Sequence, residues 1–305
     1  MGALDEMTET VRSVISAAAP SVVRVGRNLR GCGVVVGHGL VATSAHNLRG
    51  AETTLTFADG RQTTATLAGA DFDGDLAVLR ADTGETRALE RSERTLNPGD
   101  PVLAVGGGAS TEPRVTIGWV TGVDQAFRGP GGRRVTGAVE HTAPLPRGSS
   151  GGAIVDTNGA LLGINTHRLG DGFYLAVPAD KDLGDRIDAL ARGEEPHRRR
   201  LGVGLAPPTE ARRLRRAVGL PERDGLLVRA VAGDSPASAA GLRAGDLLVA
   251  AVDRQLRSAD DLFAALDDAG DAGTLRLTVV RGADELEVVV TFAGVEGRAD
   301  QEGSA

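Results

Sequence analysis

A stretch of small residues, Gly148-Ser149-Ser150-Gly151-Gly152, is the strongest chemical signal in this chain. An apolar run at 153–155 follows it at once, so the stretch reads as a tight loop entering a strand. Acyl transfer needs backbone N–H groups aimed at a developing oxyanion. Gly148 can turn its N–H inward with no Cβ penalty. Ser150 supplies a second N–H and a hydroxyl nucleophile. Gly151 and Gly152 leave room for a substrate backbone. Ser149 is the rival nucleophile and fits less well, because the glycine pair should follow the nucleophile directly.

A serine hydroxyl needs a base to become nucleophilic at neutral pH. The chain has five histidines: His38, His46, His141, His167 and His197. His38 lies in a glycine turn and His197 in a charged stretch. His167 ends a strand, and His141 precedes Ser150 by nine positions. His46 closes the small-residue corner Thr43-Ser44-Ala45-His46 after an apolar run, which suits a rigidly held base; the other four read as idle. An acid must then orient the imidazole and stabilise its charged form. Asp71, Asp73 and Asp75 compete. Asp75 abuts the apolar run 76–79 and is the best placed for burial, whereas Asp71 and Asp73 read as turn acids.

Composition narrows the alternatives. The 305 residues hold one Cys, so neither an intrachain disulfide framework nor a cysteine-rich metal site is available. No cofactor is expected. A formal net charge of −7 argues against nucleic-acid binding as the main task. No apolar run approaches the roughly 18 residues of a membrane helix. Acidic Asp5, Glu6 and Glu9 stand where a signal peptide would carry positive charge. The expectation is a cytoplasmic protein, or an extracytoplasmic one if this chain starts after a removed segment.

The elements that must position these residues are mostly short strands. Residues 5–18 carry Met7, Val11, Val14 and Ile15 at helical spacing, making 1–20 a helical N-terminal segment. Six strands are expected at 22–25, 33–36, 40–43, 54–57, 62–67 and 76–79. Six more are expected at 102–105, 115–123, 135–141, 153–155, 161–165 and 173–177. Two sets of six strands without intervening helices suggest sandwiches or barrels, and 21–180 is read as one mainly β domain. A helix at 180–191 leads into the charged run 192–200, so 181–200 is helix and linker. A compact α+β domain follows at 201–293. Its expected strands are 201–205, 226–231, 247–252, 275–280 and 285–292. Its helices are 210–218, a short one at Ser235-Pro236, and 260–269 capped by Ser258. Residues 294–305 read as a disordered tail.

The motifs in order resemble the HtrA (Deg) branch of chymotrypsin-fold serine proteases. The resemblance rests on Gly31-Cys32-Gly33-Val34-Val35-Val36, Thr43-Ser44-Ala45-His46, Asp75-Leu76-Ala77-Val78-Leu79, Gly148-Ser149-Ser150-Gly151-Gly152, Gly163-Ile164-Asn165-Thr166 and Ala176-Val177-Pro178. It implies two six-stranded barrels with a site between them. It implies His46 as general base, Asp75 as its orienter, Ser150 as nucleophile, and the N–H groups of Gly148 and Ser150 as oxyanion hole. It also implies a primary pocket floored by Pro144 and walled by Ile164, Asn165 and Thr166. With no carboxylate at the floor, small or medium aliphatic residues are expected before the cut. Two departures flank the site: Asn47 follows the histidine where Val is common, and Arg147 precedes Gly148 where Pro is usual.

From Leu201 onward the chain resembles one PDZ domain of the same family. Leu201-Gly202-Val203, Ser235-Pro236-Ala237, Ala240-Gly241-Leu242 and Gly245-Asp246-Leu247-Leu248 carry the likeness. It implies capture of a peptide C-terminus along Leu201, Gly202, Val203 and Leu205, with Leu262, Phe263 and Leu266 lining a pocket. The function implied is an endopeptidase for unfolded or exposed polypeptide. The alternatives are a latent protease serving as a peptide-binding scaffold or chaperone, and an esterase using the same residues. The resemblance also implies a homo-trimer built through N-terminal contacts, although residues 1–20 contain no aromatic side chain to build it.

Overall fold

The computed structural model describes residues 2–26, 30–106, 114–194, 196, 199–220, 223–269 and 273–292. The expected tail at 294–305, His197 and part of the linker lie outside the described residues. The chain divides into two compact units, Met1–Pro196 and His197–Ala305.

In the first unit, helix α1 (Ala3–Ala18) leads into two closed six-stranded barrels. The first barrel comprises β1 (Val22–Val25), β2 (Gly31–Gly37), β3 (Leu40–Thr43), β4 (Glu52–Thr56), β5 (Gln62–Asp71) and β6 (Leu76–Arg80), in the order β1-β2-β3-β6-β5-β4. The second comprises β7 (Pro101–Gly106), β8 (Arg114–Arg128), β9 (Arg134–His141), β10 (Ala153–Val155), β11 (Leu161–Arg168) and β12 (Tyr174–Pro178), in the order β10-β11-β12-β9-β8-β7. Closure leaves no open sheet edge, which short strands of this kind need.

Alternate residues fill the barrels. Val23, Val25, Val35, Val41, Leu55 and Phe57 pack inside the first, and Val102, Ala104, Val120, Ile154 and Leu162 inside the second. The opposite faces of both barrels share a larger cluster that includes Val34, Leu76, Leu103 and Ile164. Val14 and Ala18 of α1 join it, which uses the apolar stripe seen in the sequence. Helix α2 (Lys181–Ala191) adds Leu183, Ile187 and Leu190. Its N-cap Asp180 accepts the Leu183 N–H at 2.9 Å, a bond worth about 1 kcal/mol in such caps.

In the second unit, β13 (Val203–Leu205), α3 (Pro208–Ala217), β14 (Leu226–Val231), α4 (Pro236–Ala239), β15 (Leu247–Ala251), β16 (Arg254–Gln255), α5 (Ala259–Asp268), β17 (Thr274–Arg281) and β18 (Asp284–Thr291) follow in turn. The sheet order β13-β14-β15-β17-β18 leaves β13 terminal, with β16 paired to β15. Ser258 and Asp261 form a capping box at α5. The short β16 was not anticipated; two residues carry too little pattern to be read.

Candidate active site

Antiparallel register brings the candidate residues together. Thr43 pairs with Ala77 between β3 and β6, so the chain leaving β3 toward His46 meets the chain entering β6 from Asp75. The imidazole Nδ1 of His46 lies 2.9 Å from both Asp75 carboxylate oxygens, and the His46 backbone N–H donates to Oδ1 at 3.1 Å. In the second barrel Ala153 pairs with Ile164, so Ser150 and Thr166 come together beyond the ends of β10 and β11. The Ser150 hydroxyl donates to the Thr166 carbonyl at 2.9 Å. The Thr166 hydroxyl donates to Asp75 Oδ2 at 2.5 Å. Thr166 therefore links the serine of one barrel to the acid of the other. Ser150 has no hydrogen bond to His46 in this arrangement.

Asp75 is fixed by more than these bonds. Its φ of +53° is a left-handed conformation that few non-glycine residues adopt. The turn before it is rigid. Asp71 accepts the Gly74 N–H at 2.8 Å and pairs with Arg186 at 3.1 Å, while Asp73 pairs with Arg133 at 3.2 Å. Asp71 and Asp73 are turn acids, as read, and both are in addition buried in ion pairs, which the sequence did not show. Their partners are distant in sequence, so local context could not reveal them. A Cβ on Gly74 would come within 2.4 Å of Asp71 Oδ2 and Arg186 Nη2, so a larger residue there would displace the Asp71–Arg186 pair. Burial pushes the Asp75 carboxyl pKa up. Hydrogen bonds from the His46 ring, the charge on that ring, and donors from Thr166 and the His46 backbone more than offset it, and hold it below the usual value. The carboxylate therefore stays ionised and available to stabilise an imidazolium.

The loop between β9 and β10 is held from both barrels. Cys32 N–H and the Asn47 side chain both donate to the Ser150 carbonyl, at 2.7 and 2.9 Å. Gly151 N–H donates to the Asn165 carbonyl at 2.6 Å, and Cys32 Sγ donates to the Gly148 carbonyl at 3.3 Å. Gly151 has φ +86°, and a Cβ there would lie 2.0 Å from the Cys32 carbonyl oxygen. Gly148 has φ +83°. Asn47, a departure from the family pattern, bridges Thr43 and Ser150. Gly31 makes room for it, since a Cβ there would fall 2.1 Å from the Asn47 amide nitrogen. Arg147 is exposed, and nothing in the structure explains its place before Gly148. The rival Ser149 is 3% exposed, its hydroxyl has no hydrogen-bond partner among the described residues, and it faces Gly106.

The expected pocket residues divide. Pro144 is exposed, and its carbonyl accepts the Thr116 hydroxyl. Ile164 is buried in the inter-barrel core. Asn165 turns into the second barrel, where His141 Nε2 lies 2.9 Å from its Oδ1 and its own amide donates to the Ala153 carbonyl. His141 is wholly buried against Tyr174 rather than idle. His167, also read as idle, lies beside the site. Its Nδ1 is 2.7 Å from Thr166 Oγ1 and 4.0 Å from Asp75 Oδ2, and its ring centroid is 5.7 Å from that of His46. The reason is an irregularity in β11: Asn165 pairs with Ala176 but Arg168 with Tyr174, leaving one residue extra on β11. Such a bulge turns two neighbouring side chains to one face. Strict alternation in the sequence would have separated them. A concavity of about 1010 Å³, lined by 88–96 and by α2 among others, contains none of these residues.

In the second unit Gly202 has φ +84°, and a Cβ there would meet Ser235 Cβ at 2.2 Å. Leu201, Leu262 and Leu266 are buried in the core of the unit. Val203, Leu205 and Phe263 are only partly buried against the same core. Among the described residues, the terminal strand β13 pairs with β14 alone.

A family model for a trypsin-like peptidase domain matches residues 31–164, and one for a PDZ domain matches residues 200–292. Serine protease PepD of Mycobacterium tuberculosis is 29% identical over 308 residues, covering 88% of this chain and 62% of PepD. Putative serine protease HhoA of Synechocystis sp. is 30% identical over 279 residues, covering 87% of this chain and 70% of HhoA. The chain thus spans about two thirds of the length of these relatives. The solved serine endoprotease from Yersinia pestis superposes with a TM-score of 0.59 at 26% identity, over 92% of this chain and 96% of that one. The HtrA-type protease AlgW with a decapeptide superposes with a TM-score of 0.63 at 24% identity, over 92% and 97%, a likeness of fold.

Proposed function

Since this chain belongs to the HtrA-type serine proteases, trypsin-like peptidases carrying a PDZ domain, we propose that it cleaves unfolded or exposed polypeptide through an acyl-enzyme on Ser150. The observation that carries this reading is the continuous link Ser150–Thr166–Asp75–His46 across the two barrels. Ser150 Oγ attacks the scissile carbonyl as His46 Nε2 takes its proton. Asp75, ionised and buried, accepts from Nδ1 and stabilises the imidazolium. The N–H groups of Gly148 and Ser150 receive the oxyanion. The proton returns from His46 to the leaving amine, and water then repeats the cycle on the ester. In the resting arrangement the Ser150 hydroxyl donates to Thr166, so a χ1 rotation toward His46 precedes attack. Six positions before Ser150 stands Pro144 rather than an acid, which supports a preference for small or medium aliphatic residues before the cut. A peptide C-terminus adds along β13, next to Gly202, in the second unit.

The test is casein hydrolysis by the full chain. Ser150→Ala abolishes turnover, and Asp75→Asn lowers kcat on the order of 10,000-fold by misorienting the base. Turnover surviving in Ser150→Ala contradicts the reading. The competing reading, a latent protease serving as a peptide-binding scaffold, draws support from the Ser150–Thr166 bond. Wild-type chain that binds C-terminal peptides yet neither turns over casein nor reacts with a fluorophosphonate, even with those peptides present, favours it.

A further inference from the structure

The catalytic carboxylate has two histidines beside it, and the mechanism above uses one. His46 lies 2.9 Å from Asp75 Oδ2 and His167 lies 4.0 Å from the same oxygen. The Thr166 hydroxyl stands between His167 and Asp75, 2.7 Å from His167 Nδ1 and 2.5 Å from Asp75 Oδ2. That hydroxyl has a single proton. An ionised carboxylate can only accept, so the proton goes to Asp75. His167 Nδ1 must then carry its own hydrogen and donate to Thr166 Oγ1. The order of donation is His167 to Thr166 to Asp75, and it fixes the neutral tautomer of His167.

We infer that His167 is a positioning residue for the catalytic carboxylate: neutral, it holds Thr166 and through it Asp75, and protonated, it opposes the charge that His46 gains during acylation. The inference rests on the assignment of His46, Asp75 and Ser150 proposed above.

Three further observations support it. The bulge in β11 turns Thr166 and His167 to one side, as bulges beside active sites do when they re-aim a side chain. Phe127 of β8 packs against the His167 ring with centroids 4.8 Å apart, which fixes the imidazole without adding charge. The charged groups that face His167 are Asp75 and His46, while Arg168 on its own strand turns away to the Gly170 carbonyl. Burial lowers the His167 pKa below its ordinary value; Asp75 draws it up in part, and His46 lowers it further. The ring is therefore neutral in the working range and charges only on the acid side. With the two ring centroids 5.7 Å apart, a positive charge on His46 disfavours one on His167.

Two substitutions separate donation from charge. His167→Asn keeps a donor at the Nδ1 position but cannot titrate. His167→Phe keeps the stacking on Phe127 and has neither property. Steady-state hydrolysis of a peptide ester is measured against pH for wild type, both variants and Ser150→Ala. His167→Phe lowers kcat about three- to tenfold, the worth of one hydrogen bond, with KM unchanged. His167→Asn stays within about twofold of wild type. The acid limb of kcat/KM steepens toward two protons in wild type and remains at one in both variants. In parallel, the His46 ring resonances are followed by NMR in full-length Ser150→Ala, with and without His167→Asn. They move in two steps with His167 present and in one without it. Equal kcat in all three chains with single-proton limbs, or a one-step titration with His167 present, overturns the inference. Loss of hydrolysis in Ser150→Ala reports on the assigned nucleophile separately. If wild type hydrolyses nothing, the proposed cleavage falls, and the NMR titration alone decides the role of His167.

Discussion

Cys32 has no chemistry of its own here, yet it carries much of the order of the nucleophile loop. Its N–H holds the Ser150 carbonyl, its thiol donates to the Gly148 carbonyl, and its own carbonyl accepts the Thr43 hydroxyl at 2.6 Å. The thiol bond ties Gly148, proposed above as an oxyanion donor, to the first barrel. Cys32→Ala removes that bond and lowers kcat about threefold on a peptide substrate, whereas Cys32→Ser, which keeps a donor, retains wild-type kcat. Equal kcat in the two variants contradicts the role. At this scale the sequence exposed residues whose meaning is local: Ser150 through its flanking glycines, and Asp75 through the apolar run behind it. It hid those whose partners are far along the chain. Asp71 and Arg186 are 115 positions apart, and nothing around Asp71 announces a buried ion pair.

Strands were legible because their apolar runs alternate between barrel interior and outer face, and because turn residues separate the runs. Their ends were less so: β8 extends to Arg128 and β11 to Arg168, beyond the apolar runs that mark them. Irregularity was not legible at all, and the bulge in β11 is what places His167. The same strand carries Asn165, which joins β11 to β9 through His141. The Asn165 amide donates to Ala153, so its oxygen faces His141 and must accept from Nε2–H. The Nδ1 atom of His141 is then an acceptor buried without a donor. Burial lowers the His141 pKa below 6.5, the Asn165 hydrogen bond and the Glu140 charge only partly countering it. The unfolded chain binds this proton first, so the first unit loses stability as pH falls below about 6.5, until the folded-state pKa is passed. His141→Gln keeps the donor and cannot titrate, so its urea midpoint falls less between pH 7 and pH 5 than that of wild type. An identical fall in both chains contradicts the argument.

Across the whole molecule, two kinds of order occur, one in each unit. The first unit closes its sheets and brings His46, Asp75, Thr166 and Ser150 together where the two barrels meet. The second leaves β13 at the end of an open sheet, where an added strand can pair. Both architectures were readable from the spacing of apolar runs and from motifs matched in sequence order. What was not readable was how Thr166 joins serine, acid and a second histidine, since that depends on register between strands from different barrels. The most direct test of the central claim is the site of covalent capture. The full chain is treated with a fluorophosphonate, digested, and the modified residue located by mass spectrometry. The account predicts a single adduct on Ser150, slowed strongly in His46→Ala and absent in Ser150→Ala. An adduct on Ser149, or undiminished labelling in Ser150→Ala, would contradict it.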